Sequence, residues 1–238
     1  MQKPKMIMFD YGQTLISEQK FDGVKGTAAV MEYAVKNKYG YTPEDVQKKA
    51  DETNDELGRY DRSKRHLFQF EAPNYMFTAY LYESMGIELS VSGAELDRIF
   101  WNAASPGKPT EGIEKFLEFL KTQGIRTGVI SNISYDSDIV KERINTLLPN
   151  NDFDFIIATS DYLFRKPNRR IFELALEKAD LKPEDVWYIG DSYECDIEGA
   201  KSAGIFPVWY TGAVDIGDRK ENVLTVNDWK TLAELMQK

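Results

Sequence analysis

The chain has 238 residues, 42% hydrophobic and 13% aromatic, which suits a folded protein with a sizeable core and excludes disordered, fibrous and collagen-like classes. Thirty Lys and Arg against 39 Asp and Glu leave a formal net charge of −9, so a nucleic-acid partner is disfavoured and a small anionic substrate needs a local basic site. The single Cys195 cannot form an internal disulfide, no apolar run approaches the ~18 residues of a membrane span, and Met1 to Asp10 lacks the features of a signal peptide; no membrane association and a cytoplasmic location are expected.

The first apolar run, Met6 to Phe9, is too short for anything but a buried strand; it ends at Asp10, and Gly12 lets the chain turn at once. Val30, Met31, Tyr33, Ala34 and Val35 predict a helix over Gly26 to Lys38, stopped by Gly40. Thr42-Pro43-Glu44-Asp45 opens a second helix, with Thr42 as N-cap, Pro43 at the first helical position and Asp45 at the capping-box position, and it runs to about Leu57. Arg59, Arg62, Lys64, Arg65 and His66 form the one basic concentration, which reads as a solvated loop or helix end ahead of a substrate-anion contact. Asn74 to Met85 carries Tyr75, Phe77, Tyr80 and Tyr82, expected to pack the core of a helical bundle, and Gly93 to Ala104 reads as a further helix. Ser105-Pro106-Gly107-Lys108-Pro109 is the clearest linker, so Ile16 to Ser105 reads as a mostly helical stretch between the first strand and all later ones.

Beyond the linker, helix and strand alternate. Helices are expected at Glu111 to Gln123, Asp136 to Leu148, Asn168 to Ala179, Cys195 to Ala203 and Trp229 to Met236. Strands are expected at Ile125 to Ile130, Phe153 to Ala158 and Val186 to Ile189, with Ile205 to Trp209 and Val223 to Val226 as edge strands. Repeated β-α units imply an α/β fold, a doubly wound parallel sheet with helices on both faces and a helical insertion.

In such a sheet the strand ends share one crevice. Asp10, Ser131 and Asp191 end strands, Asp196 begins a helix and Lys166 precedes one, so three carboxylates, a hydroxyl and an ammonium converge. Clustered carboxylates repel unless a cation sits among them, and all-oxygen ligands suit Mg²⁺. Such a site can act on a phosphate ester: Asp10 attacks phosphorus, the metal and Lys166 neutralise the phosphoryl oxygens, and the Ser131 hydroxyl fixes one of them.

Four stretches now carry a resemblance: Phe9-Asp10-Tyr11-Gly12-Gln13-Thr14-Leu15, Gly128-Val129-Ile130-Ser131-Asn132, Arg165-Lys166-Pro167-Asn168, and Ile189-Gly190-Asp191-Ser192 followed by Asp196-Ile197. In this order they resemble the four motifs of the haloacid dehalogenase-like (HAD) hydrolase superfamily. The resemblance implies a Rossmann-like core from residues 1–15 and 106–238 and a helical cap domain over 16–105, acting as a lid that shapes substrate choice. It implies Asp10 as nucleophile, Ser131 and Lys166 as phosphoryl binders, Thr14 and Asn132 as further substrate contacts, and Mg²⁺ held by Asp10, the Gly12 carbonyl and Asp191, with Asp196 binding or supporting the metal. The expected partner is a small phosphorylated substrate; monomer and homodimer remain open.

One position departs from the pattern. Phosphatases of this family usually carry a second Asp two residues after the nucleophile, which protonates the leaving alcohol and later activates water; here that residue is Gly12. A dehalogenase needs no such acid but has no use for the metal set. A phosphonate-cleaving relative needs a cap lysine, with Lys20, Lys25 and Lys64 as candidates. A phosphatase must take its proton elsewhere, from Tyr11, His66 or solvent, with Gln13 as a water-orienting group; a non-catalytic binder of a phosphorylated ligand is the alternative of another class.

Overall fold

In the computed structural model, which describes residues 3–59, 61, 63, 69–214 and 222–237, the first apolar run is the central strand of a sheet. Every residue of this strand, β1 (Met6–Phe9), is buried: Ile7 and Phe9 belong to one hydrophobic cluster, Met6 and Met8 to another. Side chains alternate across a strand, so a strand covered on both faces must be apolar throughout.

The chain continues through β2 (Ile16–Glu18), α1 (Gly23–Met31), β3 (Ala34–Asn37), α2 (Pro43–Leu57), α3 (Asn74–Ser84), β4 (Ile87–Leu89), α4 (Gly93–Ala104) and β5 (Gly107–Pro109). It then alternates: α5 (Ile113–Thr122), β6 (Arg126–Ser131), α6 (Ser137–Leu147), β7 (Phe153–Ala158), α7 (Arg169–Ala179), β8 (Val186–Gly190), a π-helical turn (Tyr193–Glu198), α8 (Gly199–Ser202), β9 (Phe206–Tyr210), β10 (Leu224–Val226) and α9 (Trp229–Met236). The six-stranded sheet has the order β10-β9-β8-β1-β6-β7, with every pairing parallel. From β1 the chain winds outward to β6 and β7, then returns to the other side of β1 for β8, β9 and β10. The winding therefore reverses beside β1, where open α/β sheets leave a crevice at the carboxyl ends of their strands.

Both faces are covered, as the doubly wound reading requires. Ile113, Phe116 and Leu120 of α5, Ile139 and Val140 of α6, and Trp229 and Leu232 of α9 pack with Ile7 and Phe9. Ile171, Phe172 and Ala175 of α7 and Ala200 of α8 pack with Met6 and Met8. Among the described residues no helix is long and apolar enough to cross a membrane.

Among the described residues, the stretch between β2 and β5 adds no strand to this sheet, and it has its own cluster around Val30, Val46, Leu81, Tyr82, Ile87 and Leu96. Several expectations fail within it. The helix expected over Gly26 to Lys38 starts at Gly23, where Asp22 accepts a hydrogen bond from the Lys25 amide, and ends at Met31. Residues 34–37 instead pair antiparallel with β4, and Val35 is 68% exposed, so its place in the helical pattern was coincidental. Tyr75 and Tyr80 face solvent, leaving Leu81 and Tyr82 as the buried residues of α3. The capping box of α2 forms as expected, with Asp45 in reciprocal hydrogen bonds with Thr42.

The expected linker is the strand β5, antiparallel to β2 with Glu18 opposite Gly107. A Cβ on Gly107 would lie 2.7 Å from Ile16 Cγ2, so the glycine answers a close approach between strands. β9 is an interior strand; β10 takes the edge. In the basic concentration, Arg59 is buried and pairs with Glu71 at 3.1 Å, while Arg62, Lys64, Arg65 and His66 lie outside the described residues.

Asp97 of α4 is buried and accepts a hydrogen bond from the Asn74 side chain. Burial, opposed by that bond and reinforced by the Asp136 charge, pushes its carboxyl from 3.8 up to about 6. The folded state then binds the proton more tightly than the unfolded chain, so stability falls as pH rises through this window. Asp97→Asn keeps the acceptor for Asn74 and removes the buried charge. It is expected to stabilise the protein by roughly 1–3 kcal/mol near pH 7.5 and little near pH 4, read from urea unfolding at both.

Candidate active site

The residues at the strand ends meet in the crevice beside β1. Asp10 follows β1 and donates its amide to the Ile189 carbonyl at 2.8 Å, which ties the aspartate to the end of β8. Asp191 follows β8, Asp196 lies in the π-helical turn and Ser131 is the last residue of β6. One oxygen from each of Asp10, Asp191 and Asp196 lies within 4.8 Å of the others.

Lys166 enters this group from the loop before α7. Its buried ammonium lies 2.6 Å from Asp10 Oδ1, 2.6 Å from Asp196 Oδ1 and 2.7 Å from the Tyr188 hydroxyl, so all three N–H donors are used. The Lys166 backbone is fixed too: its amide donates to Asn132 Oδ1 at 2.8 Å, and Asn132 Nδ2 donates to its carbonyl at 2.9 Å. Asn132, expected against the substrate, therefore spends both ends of its amide holding the lysine loop.

The electrostatics follow from burial and crowding. Burial pushes the Asp10 carboxyl up to about 6, with Lys166 opposing and Asp196 reinforcing the shift. Asp191 rises to about 8 through burial and then the charges of Asp10 and Asp196. For Lys166 burial acts downward, but the two carboxylates outweigh it and hold the ammonium well above its ordinary value. Three carboxylates face one lysine, so an excess of negative charge remains. An all-oxygen donor set with uncompensated charge fits a hard divalent cation such as Mg²⁺.

Two residues at this end lack partners of their own. The Thr14 hydroxyl, expected at the substrate, is fully buried with no hydrogen-bond partner, and the Ser131 hydroxyl makes no hydrogen bond among the described residues. A Cβ on Gly190 would fall 2.3 Å from Asp196 Cγ, so the glycine before Asp191 makes room for the third carboxylate. Cys195 lies beside the site, where burial pushes its thiol pKa up, in keeping with a packing role.

Neighbours of Gly12 account for the other expectations. The Tyr11 hydroxyl accepts a hydrogen bond from Arg143 Nε at 2.8 Å, and burial raises its pKa, making it a poor proton donor. Gln13, at a φ of 54°, donates its side-chain amide to the Glu18 carbonyl at 2.9 Å, so that nitrogen is engaged within the turn. Lys20 and Lys25 are exposed, and Lys64 and His66 fall outside the described residues. Two residues escaped the sequence reading. Tyr188 read as one more apolar-strand residue, although a buried tyrosine hydroxyl needs a partner. Glu18 stood in no motif, yet its Oε1 accepts from Trp101 Nε1 at 2.8 Å and Arg143 Nη2 at 3.3 Å.

Comparison with known proteins bears on the family and the fold. The chain is 29% identical over 119 residues to haloacid dehalogenase-like hydrolase domain-containing protein 3 of Mus musculus, covering 49% of this chain and 46% of the relative. It is 34% identical over 101 residues to glyceraldehyde 3-phosphate phosphatase of Pyrococcus furiosus, covering 42% and 40%. The matches thus span under half the length of these curated relatives. The crystal structure of 2-haloacid dehalogenase from Pseudomonas syringae pv. tomato superposes with a TM-score of 0.67 at 21% identity, covering 98% of both chains, and shares the fold. The family model for haloacid dehalogenase-like hydrolases matches residues 4–204, and the chain belongs to that family.

Proposed function

We propose that this hydrolase is a Mg²⁺-dependent phosphatase that transfers a phosphoryl group from a small metabolite to Asp10 and then to water. The observation that carries the reading is Asp10 itself, presented at the reversal of the sheet with Lys166 at 2.6 Å and two more carboxylates within 4.8 Å. Relatives named as phosphatases in Pyrococcus furiosus and other organisms support the same chemistry.

In this reading Asp10, Asp191 and the Gly12 carbonyl hold the metal, and Asp196 orients Lys166 and supports the ligand set. When bound, Mg²⁺ would supply positive charge against the phosphoryl oxygens, which would lower the cost of bringing a dianion to an acidic crevice. Asp10 supplies the attacking oxygen, Lys166 offsets charge on the equatorial oxygens, and the Ser131 hydroxyl donates to one of them. Tyr188 and Asn132 position Lys166 from its two ends. Residues 16–105 act as a cap over the core formed by 1–15 and 106–238. A cavity of about 380 Å³ lies mostly within residues 16–105, lined by Gln47, Asn54, Asn74 and Phe100 and reached from the core by Ser134 and Tyr135, without a wall from Asp10, Lys166 or Asp191. The dehalogenase alternative leaves the carboxylate cluster without a task, and among the described residues the amine at Asp10 is that of Lys166, with Lys20 and Lys25 exposed and Lys64 outside them.

Asp10→Asn is expected to abolish Mg²⁺-dependent phosphate release from an aryl phosphate while the fold, judged by circular dichroism, persists; chelation of the metal should silence the native protein likewise. Residual turnover in Asp10→Asn would remove the nucleophile from this account. Gly190→Ala forces Asp196 aside and is expected to weaken Mg²⁺ binding by roughly 10–100-fold, measured by titration calorimetry.

A further inference from the structure

Gly12 leaves a space that another carboxylate fills. A Cβ built on Gly12 has one non-neighbouring heavy atom within 4 Å, Glu18 Oε2 at 3.8 Å. An aspartate at residue 12 would extend its carboxylate into the region where the Glu18 carboxylate now stands. Glu18 is the last residue of β2, opposite Gly107 in the antiparallel pair with β5, so its backbone is fixed. Its side chain is fixed through one oxygen only: Oε1 accepts from Trp101 Nε1 and Arg143 Nη2, and the Tyr11 hydroxyl lies 3.5 Å away. Oε2, the oxygen nearest Gly12, has no hydrogen-bond partner among the described residues. The side chain keeps 18% of its surface open, so it is held without being sealed. Trp101, Arg143 and Tyr11 all meet the carboxyl at Oε1, and Asp10 lies near enough for its charge to act on Glu18.

We propose that Glu18 is the proton-transfer residue of this site, its Oε2 serving where an aspartate at residue 12 would have served. The proposal rests on the phosphatase reading of Asp10. In the first step an Asp10 carboxylate oxygen bonds to phosphorus and the bond from phosphorus to the alcohol oxygen breaks. The electron pair of that bond stays on the alcohol oxygen, which takes the proton of the Glu18 carboxyl and leaves as the alcohol. In the second step a water oxygen bonds to the same phosphorus while the Glu18 carboxylate takes one of its protons. The bond from phosphorus to the Asp10 oxygen breaks, which restores the Asp10 carboxylate, releases phosphate and leaves Glu18 protonated for the next cycle.

The test uses the full chain with Mg²⁺ and a series of phosphate monoesters from nitrophenyl to simple alkyl leaving groups. Glu18→Gln keeps an acceptor for Trp101 and Arg143, so the fold is expected to persist. It should lose roughly 10²–10⁴-fold in kcat on alkyl esters and far less on nitrophenyl esters, giving a steeper dependence on leaving-group basicity than the native protein. Mass spectrometry of quenched turnover on a nitrophenyl ester should show a phosphoryl adduct on Asp10 accumulating in Glu18→Gln, because its hydrolysis has lost the base. Gly12→Asp added to Glu18→Gln is expected to recover alkyl-ester turnover. An unchanged leaving-group dependence without adduct would overturn the role of Glu18, and so would an equal loss on every ester, the mark of disturbed packing around Arg143. Both results leave the phosphatase reading standing provided Asp10→Asn is inactive; a native protein that releases phosphate from no ester overturns that reading instead.

Discussion

The ammonium of Lys166 is the contact on which the crevice depends. A lysine buried at this depth is costly unless every donor is satisfied and its charge is met, and here Asp10, Asp196 and Tyr188 do both. Those partners come from the end of β1, the π-helical turn and β8, while Asn132 after β6 clamps the backbone of the same lysine. One residue thus brings four segments into register at the point where the sheet reverses, three through its side chain and one through its backbone. It also sets the charge of the crevice: one lysine against three carboxylates is enough to keep Asp10 and Asp196 together and too little to welcome a phosphate dianion. The remaining excess of negative charge is of the kind a divalent cation would offset.

Much of this was legible in the sequence because it depends on local rules. β1 and β8 are continuous apolar runs because they are covered on both faces, and the residues that end them are polar because they face the crevice. The capping box at Thr42 and the alternation after Pro109 are equally local signals. What escaped depends on contacts between distant residues. Val35 satisfies a helical period and a strand period alike, and only pairing with β4 decides between them. The Pro- and Gly-containing stretch at 105–109 has the composition of a linker, yet its backbone is taken up by β2. Glu18 and Tyr188 owe their places to Arg143, Trp101 and Lys166, none of which lies within the same element.

The basic concentration shows the same division on a charged feature. From sequence, Arg59 belongs to a charged run that reads as a solvated loop or helix end ahead of a substrate-anion contact. It is instead buried against Glu71, donates to the Ala72 carbonyl and the Ser134 hydroxyl, and Glu71 also meets Arg165 at 3.3 Å and accepts from the Thr159 hydroxyl. These partners lie after β6, after β7 and just before Lys166. The network therefore joins the helical stretch to the loop that follows Ser131 and the loop that carries Lys166, and does so with charge that is costly to leave unpaired.

The short β2–β5 pair closes the helical stretch at its base. Gln19 donates to the Pro106 carbonyl and Asp22 to the Ala104 carbonyl, both at 2.8 Å, so the two ends of the intervening chain are hydrogen-bonded to each other before it departs. A segment whose ends already meet adds little strain to its host whatever its length, because the closure entropy of a loop grows only slowly with the residues it contains. The sheet is in this respect indifferent to what the hairpin carries. Such an arrangement lets the carried segment be lengthened, shortened or exchanged over evolutionary time while the sheet and the residues at its strand ends stay as they are.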